Sequence, residues 1–444
     1  MLSLNIKKNT LILAAAAMLG GGIAHAAKLD LTSDVGVKAV SISNINFATQ
    51  NPGGDFFYLQ NASLGIAVKD LHPKKASDMT MDVYIKLQAY GIAGSTVAKN
   101  APYDAIAERF PNSNFTPYME NAYMRVTRLF DTNLTFKAGR MPYILATGLT
   151  LCDDNMGFTG FTLASERLFN LFDLEFFTFQ PKASDSKANS VNLLGASVKI
   201  PAEGIWEFYN YWEFDKNPGK AAANVAISGR TLQFTGLSYS LKYGFLTFKG
   251  EGVMQTGSAS KTNSSEQIKY NASALLLSGK WVQPFGQFGT GEVRITYGRG
   301  SGDKNASPDM DEAFFPDYGH RYSGLERSGY GELFAASLYD AFGGDPTTKT
   351  GMPAGLSGIQ VVNMGITMPS YRNVFLDVDY YSYEADRAVG ASKKLGTELD
   401  FRLTYPIGQA FSINAVYAAF SPGSAYPAGT SSAKKFALEA LARF

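Results

Sequence analysis

The sequence predicts an all-β fold, a transmembrane antiparallel up-and-down β-barrel of about 18 strands, on three observations. Segments of about ten residues with period-2 apolar alternation recur along the chain. Their connections sort into short and long in turn, and the last strand ends on an aromatic residue. No helical apolar stripe of useful length interrupts this pattern, so period 2 is the governing signal.

The alternation is plain in two segments. Over 78 to 92, Met81, Val83, Ile85 and Leu87 alternate with Asp82, Tyr84, Lys86 and Gln88; over 395 to 405, Leu395, Thr397, Leu399, Phe401 and Leu403 alternate with Gly396, Glu398, Asp400 and Arg402. A soluble sandwich alternates as well, so the connections must decide. In order, the strands read 33 to 47, 56 to 70, 78 to 92, 116 to 129, 133 to 145, 157 to 166, 170 to 180, 191 to 200 and 204 to 214. They continue at 228 to 240, 244 to 256, 268 to 282, 287 to 299, 356 to 368, 371 to 384, 395 to 405, 410 to 421 and 434 to 444. Tight turns such as Asp131-Thr132, Lys242-Tyr243 and Pro369-Ser370 alternate with polar loops at 93 to 115, 181 to 190, 215 to 227, 257 to 267, 300 to 355, 385 to 394 and 422 to 433. Short periplasmic turns on one rim and long extracellular loops on the other are the asymmetry of an outer-membrane barrel.

In the final strand, Phe436, Leu438, Ala440, Ala442 and Phe444 form one apolar face, with Lys435, Glu439 and Arg443 on the other. Phe444 is therefore expected to act as the signal read by the barrel assembly machinery. Tyr58, Tyr118, Phe130, Tyr143, Phe169, Trp212, Trp281 and Tyr405 stand at strand ends, where interfacial girdles are expected.

Composition agrees. The 444 residues carry 40 Lys and Arg against 39 Asp and Glu, 45% hydrophobic and 13% aromatic residues, 44 Gly and one Cys. This excludes a nucleic-acid binder driven by a basic surface, a disulfide-stapled fold and a disordered chain. Lys7 and Lys8, the apolar run Leu11 to Leu19 and Ala24-His25-Ala26 read as a secretory signal peptide over 1 to 26, leaving 27 to 444 as one barrel domain. The expected location is the outer membrane of a Gram-negative cell, in contact with its lipid, as a monomer.

Three stretches resemble the alginate export family of outer-membrane porins. The first is Asn121-Ala122-Tyr123 with Ala138-Gly139-Arg140, Asp153-Asp154 and Gly157-Phe158-Thr159-Gly160-Phe161. The second runs from Tyr297 through Ser301-Gly302-Asp303 and Phe314-Phe315-Pro316 to His320-Arg321-Tyr322-Ser323-Gly324. The third is Leu395-Gly396-Thr397-Glu398-Leu399-Asp400, then Phe420-Ser421-Pro422-Gly423-Ser424-Ala425-Tyr426 and Arg443-Phe444. The resemblance implies a single-chain barrel of about this strand number, through which an extended anionic polysaccharide passes.

The polar faces give the expected pore-lining residues Lys86, Arg125, Lys137, Arg294 and Arg402 as cations and Asp377, Asp379, Glu398 and Asp400 as carboxylates. Arg140 falls on the lipid side by simple alternation, and a bulge at Gly139 is expected to turn it inward. Over the whole polar face carboxylates are at least as numerous as cations, so strong anion selectivity is not expected, and a lumenal salt-bridge ladder is the structural alternative. The longest loop, 300 to 355, is expected to fold into or over the pore, with helical potential over Glu332 to Phe342.

No catalytic residues, metal site or cofactor are expected. His72 and His320 fall in connections, Cys152 beside Asp153 and Asp154 is too sparse for a metal cluster, and the loop carboxylates lack an EF-hand pattern. The leading expectation is a passive conduit for a carbohydrate or another polar solute. A general diffusion porin, a surface barrel acting through its loops and a periplasmic all-β binding protein are the alternatives.

Overall fold

The segment Ile205–Asp215 has the sequence IWEFYNYWEFD, and its exposure alternates residue by residue. Glu207, Tyr209, Tyr211 and Glu213 are buried, while Trp206, Phe208, Trp212 and Phe214 are exposed. Water-soluble folds do the reverse with their carboxylates and indoles. An apolar outward face and a polar inward face are stable only where the outside is hydrocarbon.

The computed structural model describes residues 27–45, 54–72, 78–94, 115–181, 191–216, 218, 226–304, 309–341, 350–389 and 392–444. Residues 1 to 26, expected to be a signal peptide, and most of the 93 to 115, 181 to 190 and 215 to 227 loops lie outside the described residues. The barrel strands are β1 (Lys28–Ser43), β2 (Gly54–Leu71), β3 (Thr80–Ala93), β4 (Tyr118–Leu129), β5 (Leu134–Met141), β6 (Phe158–Leu168), β7 (Phe172–Gln180), β8 (Val191–Pro201) and β9 (Ile205–Asp215). They continue with β10 (Ile227–Tyr243), β11 (Leu246–Lys261), β12 (Gln267–Pro284), β13 (Thr290–Gly300), β17 (Leu356–Thr367), β18 (Phe375–Ala388), β19 (Lys394–Ile407), β20 (Phe411–Pro422) and β21 (Ala433–Arg443). Three two-residue strands, β14 (Met310–Asp311), β15 (Tyr322–Ser323) and β16 (Glu326–Arg327), belong to the long connection between β13 and β17.

Each barrel strand pairs antiparallel with the next, and β21 returns to β1 in the register Asp34↔Arg443 to Ser43↔Lys434. The 18-stranded barrel is thereby closed and leaves no open edge. Reciprocal backbone bonds between Ser33 and Phe444, at 3.0 and 2.8 Å, extend the seam to the last residue.

The short rim is built from tight hairpins. Phe130-Asp131, Phe169-Asn170 and Arg372-Asn373 all have φ between 49° and 64°, and the flanking amides of Thr132, Leu171 and Val374 donate to the carbonyls of Leu129, Leu168 and Tyr371. Positive φ at both central residues is the type I′ geometry whose twist matches that of the strands. Asp and Asn tolerate this left-handed region better than most side chains, which is why they occupy the second position.

Two girdle expectations fail. Tyr143 is buried inside against Phe177 and Phe179, with ring centroids 5.1 and 4.7 Å away, because β5 stops at Met141 and the chain then turns into the lumen. Tyr118 also faces inward, its hydroxyl donating to the Asn155 carbonyl at 3.3 Å. Phe130, Phe169 and Trp281 are exposed as expected. Leu395 is fully buried rather than lipid-facing, since a bulge at Gly396, where φ is 147°, switches its side.

Candidate functional site: the lumenal constriction

Two connections on the long-loop rim, 142 to 157 and the described parts of 301 to 355, fold into the barrel. The first begins where Met141 leaves the sheet. Thr147 donates to Glu251 on β11 through its amide at 3.0 Å and through its hydroxyl, and the Tyr211 hydroxyl on β9 donates to the Thr150 carbonyl at 3.1 Å. Inward carboxylates and phenols thus satisfy the backbone of an inserted segment that water does not fully reach.

The second connection crosses the lumen. Asp317 pairs with Arg230 on β10, whose guanidinium also meets Glu213 at 2.8 Å. Nine residues later Glu326 pairs with Lys38 on β1 at 2.6 Å and with Lys435 on β21 at 2.9 Å. In a ring of 18, the first and tenth strands stand opposite one another. The chain advances from Asp317 to Ser323, at most about 20 Å, and turns back in the β15–β16 hairpin, where Ser323 faces Glu326; the long side chains of Arg230, Lys38 and Lys435 make up the remaining distance to the walls.

Beyond the crossing, Glu332 binds Lys435 at 2.7 Å and Arg402 at 2.5 Å. Its amide and that of Leu333 both donate to Glu398 at 2.7 Å, and the Glu332 amide also donates to Asp400 at 3.1 Å. Phe334 stacks on Phe420 of the wall with centroids 4.7 Å apart and planes 1° from parallel. Arg321 lies 5.6 to 5.9 Å from the ring centres of Phe315, Tyr322 and Tyr339, which stiffens the crossing segment.

Burial by itself would raise the Glu326 carboxyl. The ammonium groups of Lys38 and Lys435 outweigh it and hold that carboxyl at about 2. Glu332 follows the same logic: burial raises it, while Lys435, Lys38 and Arg402 bring it well below the usual carboxylate range. A cavity of about 340 Å³ lies between the crossing segment and the wall, lined among others by Lys38, Glu326, Glu332, Tyr381, Arg402 and Lys435.

The expected lining residues divide into two groups. Glu398, Asp400 and Arg402 meet at the inserted tip. Beside them Arg294 binds Asp379 at 2.9 Å, Glu292 at 3.1 Å and Asp377 at 3.4 Å. On β3 to β5, Lys86 pairs with Glu120 at 3.0 Å, Arg125 donates to Asp82 at 2.9 Å, and Lys137 stands opposite Arg125 in the β4–β5 register. Arg140 donates through Nε to the carbonyls of Met156 at 2.8 Å and Glu120 at 3.2 Å, so it lies against the inserted 142 to 157 segment. The expected bulge at Gly139 is absent, since both strand registers run through it without a shift; Gly139 instead takes φ 124°, where a Cβ would come within 2.3 Å of the Ala122 carbonyl oxygen.

One expectation is corrected here: 332 to 341 forms turns and isolated bridges instead of a helix, because its amides are spent on the wall carboxylates Glu398 and Asp400. Phe342 lies outside the described residues. Lys38, Glu326, Arg230 and Lys435 were missed as constriction residues. Alternation places Lys38 and Lys435 on inward faces whose nearest neighbours are apolar, and a lone inward cation is a readable signal.

Closed 18-strand topology, an apolar outer face and a lumen narrowed by inserted segments define an outer-membrane β-barrel of the Gram-negative type. Solved structures agree on the architecture. A BenF-like porin from Pseudomonas fluorescens Pf-5 aligns with a TM-score of 0.56 at 10% identity, over 95% of this chain and 100% of that chain. Pseudomonas aeruginosa OccK2 (OpdF), solved in complex with glucuronate, aligns with a TM-score of 0.53 at 10% identity, over 95% and 99%. Pseudomonas aeruginosa OccK8 (OprE) gives 0.51 at 11% identity, over 94% and 98%. Identities this low establish the shared fold. No family model and no curated protein matches the sequence, so the resemblance to alginate exporters gains no support beyond the barrel itself.

Proposed function

We propose that the barrel is a selective channel for small polar solutes of roughly monosaccharide size. The observation that carries this reading is the crossing segment from Asp317 to Glu326, which is fixed to opposite walls and leaves a polar cavity of about 340 Å³ beside it. A general diffusion porin has no use for a strut across its lumen, and an extended polyuronate would have to pass the carboxylates of Glu326, Glu332 and Asp400. Hydroxyl-rich solutes suit the site: they can exchange hydrogen bonds with Lys38, Arg402 and Lys435 on one side and with the carboxylates on the other. The glucuronate in the OccK2 structure is a solute of this size and polarity.

The test is single-channel recording and liposome swelling with a graded series of sugars. Deleting 332 to 341 should raise conductance and admit larger sugars. Unchanged conductance and size cut-off, with normal assembly, would refute the constriction. A wild-type barrel with no conductance at all would favour the surface-protein alternative.

A further inference from the structure

The two inserted segments meet at a cluster away from the wall anchors of the crossing segment. Cys152 and Asp154 come from the first segment and His320 from the second. Their thiol sulfur, carboxylate oxygen and ring nitrogen all lie within 4.8 Å of one another. Cys152 Sγ is 3.8 Å from His320 Nδ1, and Asp154 Oδ1 is 2.5 Å from the same nitrogen.

The backbone around the three donors is locked from both sides. The Cys152 amide donates to the Tyr318 carbonyl at 2.6 Å and the His320 amide to the Gly148 carbonyl at 2.8 Å. The second carboxylate oxygen of Asp154 accepts the amides of Arg321 and Tyr322 at 2.9 and 3.0 Å, leaving Oδ1 directed at the histidine. Outer contacts of this kind orient ligands in metal sites. Cys152 and Asp154 are buried, whereas the His320 side chain is 44% exposed, so the cluster has a closed back and an open front.

We propose that Cys152, Asp154 and His320 bind a soft divalent transition-metal ion of the zinc class, which pins the two inserted segments together. A tetrahedral ion with a sulfur bond of about 2.3 Å and a nitrogen bond of about 2.0 Å sets those two donors about 3.6 Å apart, close to the observed spacing. The nitrogen and carboxylate oxygen must part by somewhat under 1 Å to admit it. Binding releases the Sγ proton to solvent, and His320 frees Nδ1 by carrying its ring proton on Nε2. Without an ion, burial pushes the Cys152 thiol up and keeps it protonated; a coordinated thiol is deprotonated outright. One thiolate, one imidazole and one carboxylate select zinc-like ions over calcium and magnesium, which take all-oxygen shells. The fourth position faces the open front beside His320, where water or a chelating solute completes the shell.

The refolded full chain in detergent, titrated with Co²⁺, tests this directly. The expected result is one equivalent bound, a sulfur-to-cobalt charge-transfer band in the near ultraviolet, and displacement by Zn²⁺. Cys152→Ser should abolish that band. His320→Ala should weaken binding by at least the roughly 10–100-fold that even an outer contact is worth. Heat-modifiable migration checks that each variant has assembled. If the serine variant fails to assemble, the alanine variant at the half-exposed histidine decides alone. Absence of the sulfur band in the wild type, or binding unchanged in an assembled variant, overturns the site and shows a plain His–Asp hydrogen bond. Neither result depends on whether the barrel conducts.

Discussion

Arg294 and Asp379 meet across a strand that belongs to neither. They sit on β13 and β18, both are registered opposite Gly365 on the intervening β17, and their side chains join over that glycine at 2.9 Å. A Cβ at Gly365 would fall 1.9 Å from Asp379 Oδ1 and 3.0 Å from Arg294 Nε.

Gly365→Ala is therefore expected to separate the pair and destabilise the barrel by about 1–3 kcal/mol, the usual cost of overpacking. The midpoint of heat-modified migration should fall. An unchanged midpoint would show that the pair closes over a methyl group without penalty.

The same pair bears on selectivity. Asp377 and Asp379 are two of the three carboxylates on Arg294, so converting both to Asn should leave the guanidinium with Glu292 alone and shift selectivity towards anions. Reversal potentials in a salt gradient read the shift, and no movement would mean that permeating ions do not sample this wall.

The anchor of the crossing segment should respond to acid in a particular window. The folded-state value of Glu326, about 2, lies below the ordinary 4.5, so its stabilisation is complete above about 4.5 and fades as pH falls towards 2. Conductance should hold steady from neutral pH down to about 4.5 and rise below it as the segment detaches. Glu326→Gln should show the raised conductance already at neutral pH; a variant identical to wild type would deny the carboxylate its anchoring part.

Deleting Phe444 removes the reciprocal bonds to Ser33 that close the seam. Less membrane-inserted, heat-modifiable protein is expected, and full assembly of the deletion would show that Arg443 suffices as the last paired residue.

How far the sequence carries follows from the range over which each interaction acts. Strands and hairpins are local, so alternation in Ile205–Asp215 could be read almost residue by residue, whereas the turn expected at Pro369-Ser370 falls at Arg372-Asn373 and Asn170, expected to open a strand, sits in a turn. Where a single bulge intervenes, as at Gly396, the period slips and Leu395 changes sides. The constriction is of another kind. Cys152 and His320 stand 168 positions apart, and Glu326 and Lys38 stand 288 apart, pairings that only barrel closure and loop insertion create. Asp400 and Arg402 are engaged with an inserted segment that no periodicity announces.

The position of Lys38 and Lys435 has a consequence for biogenesis. They lie on β1 and β21, the first and last strands of the sheet, and each oxygen of Glu326 accepts from one of them. In a sheet still open at that junction the two ammonium groups are far apart, and the crossing segment has only half of its fastening. Completion of the cylinder and full fastening of the crossing segment are thus one event.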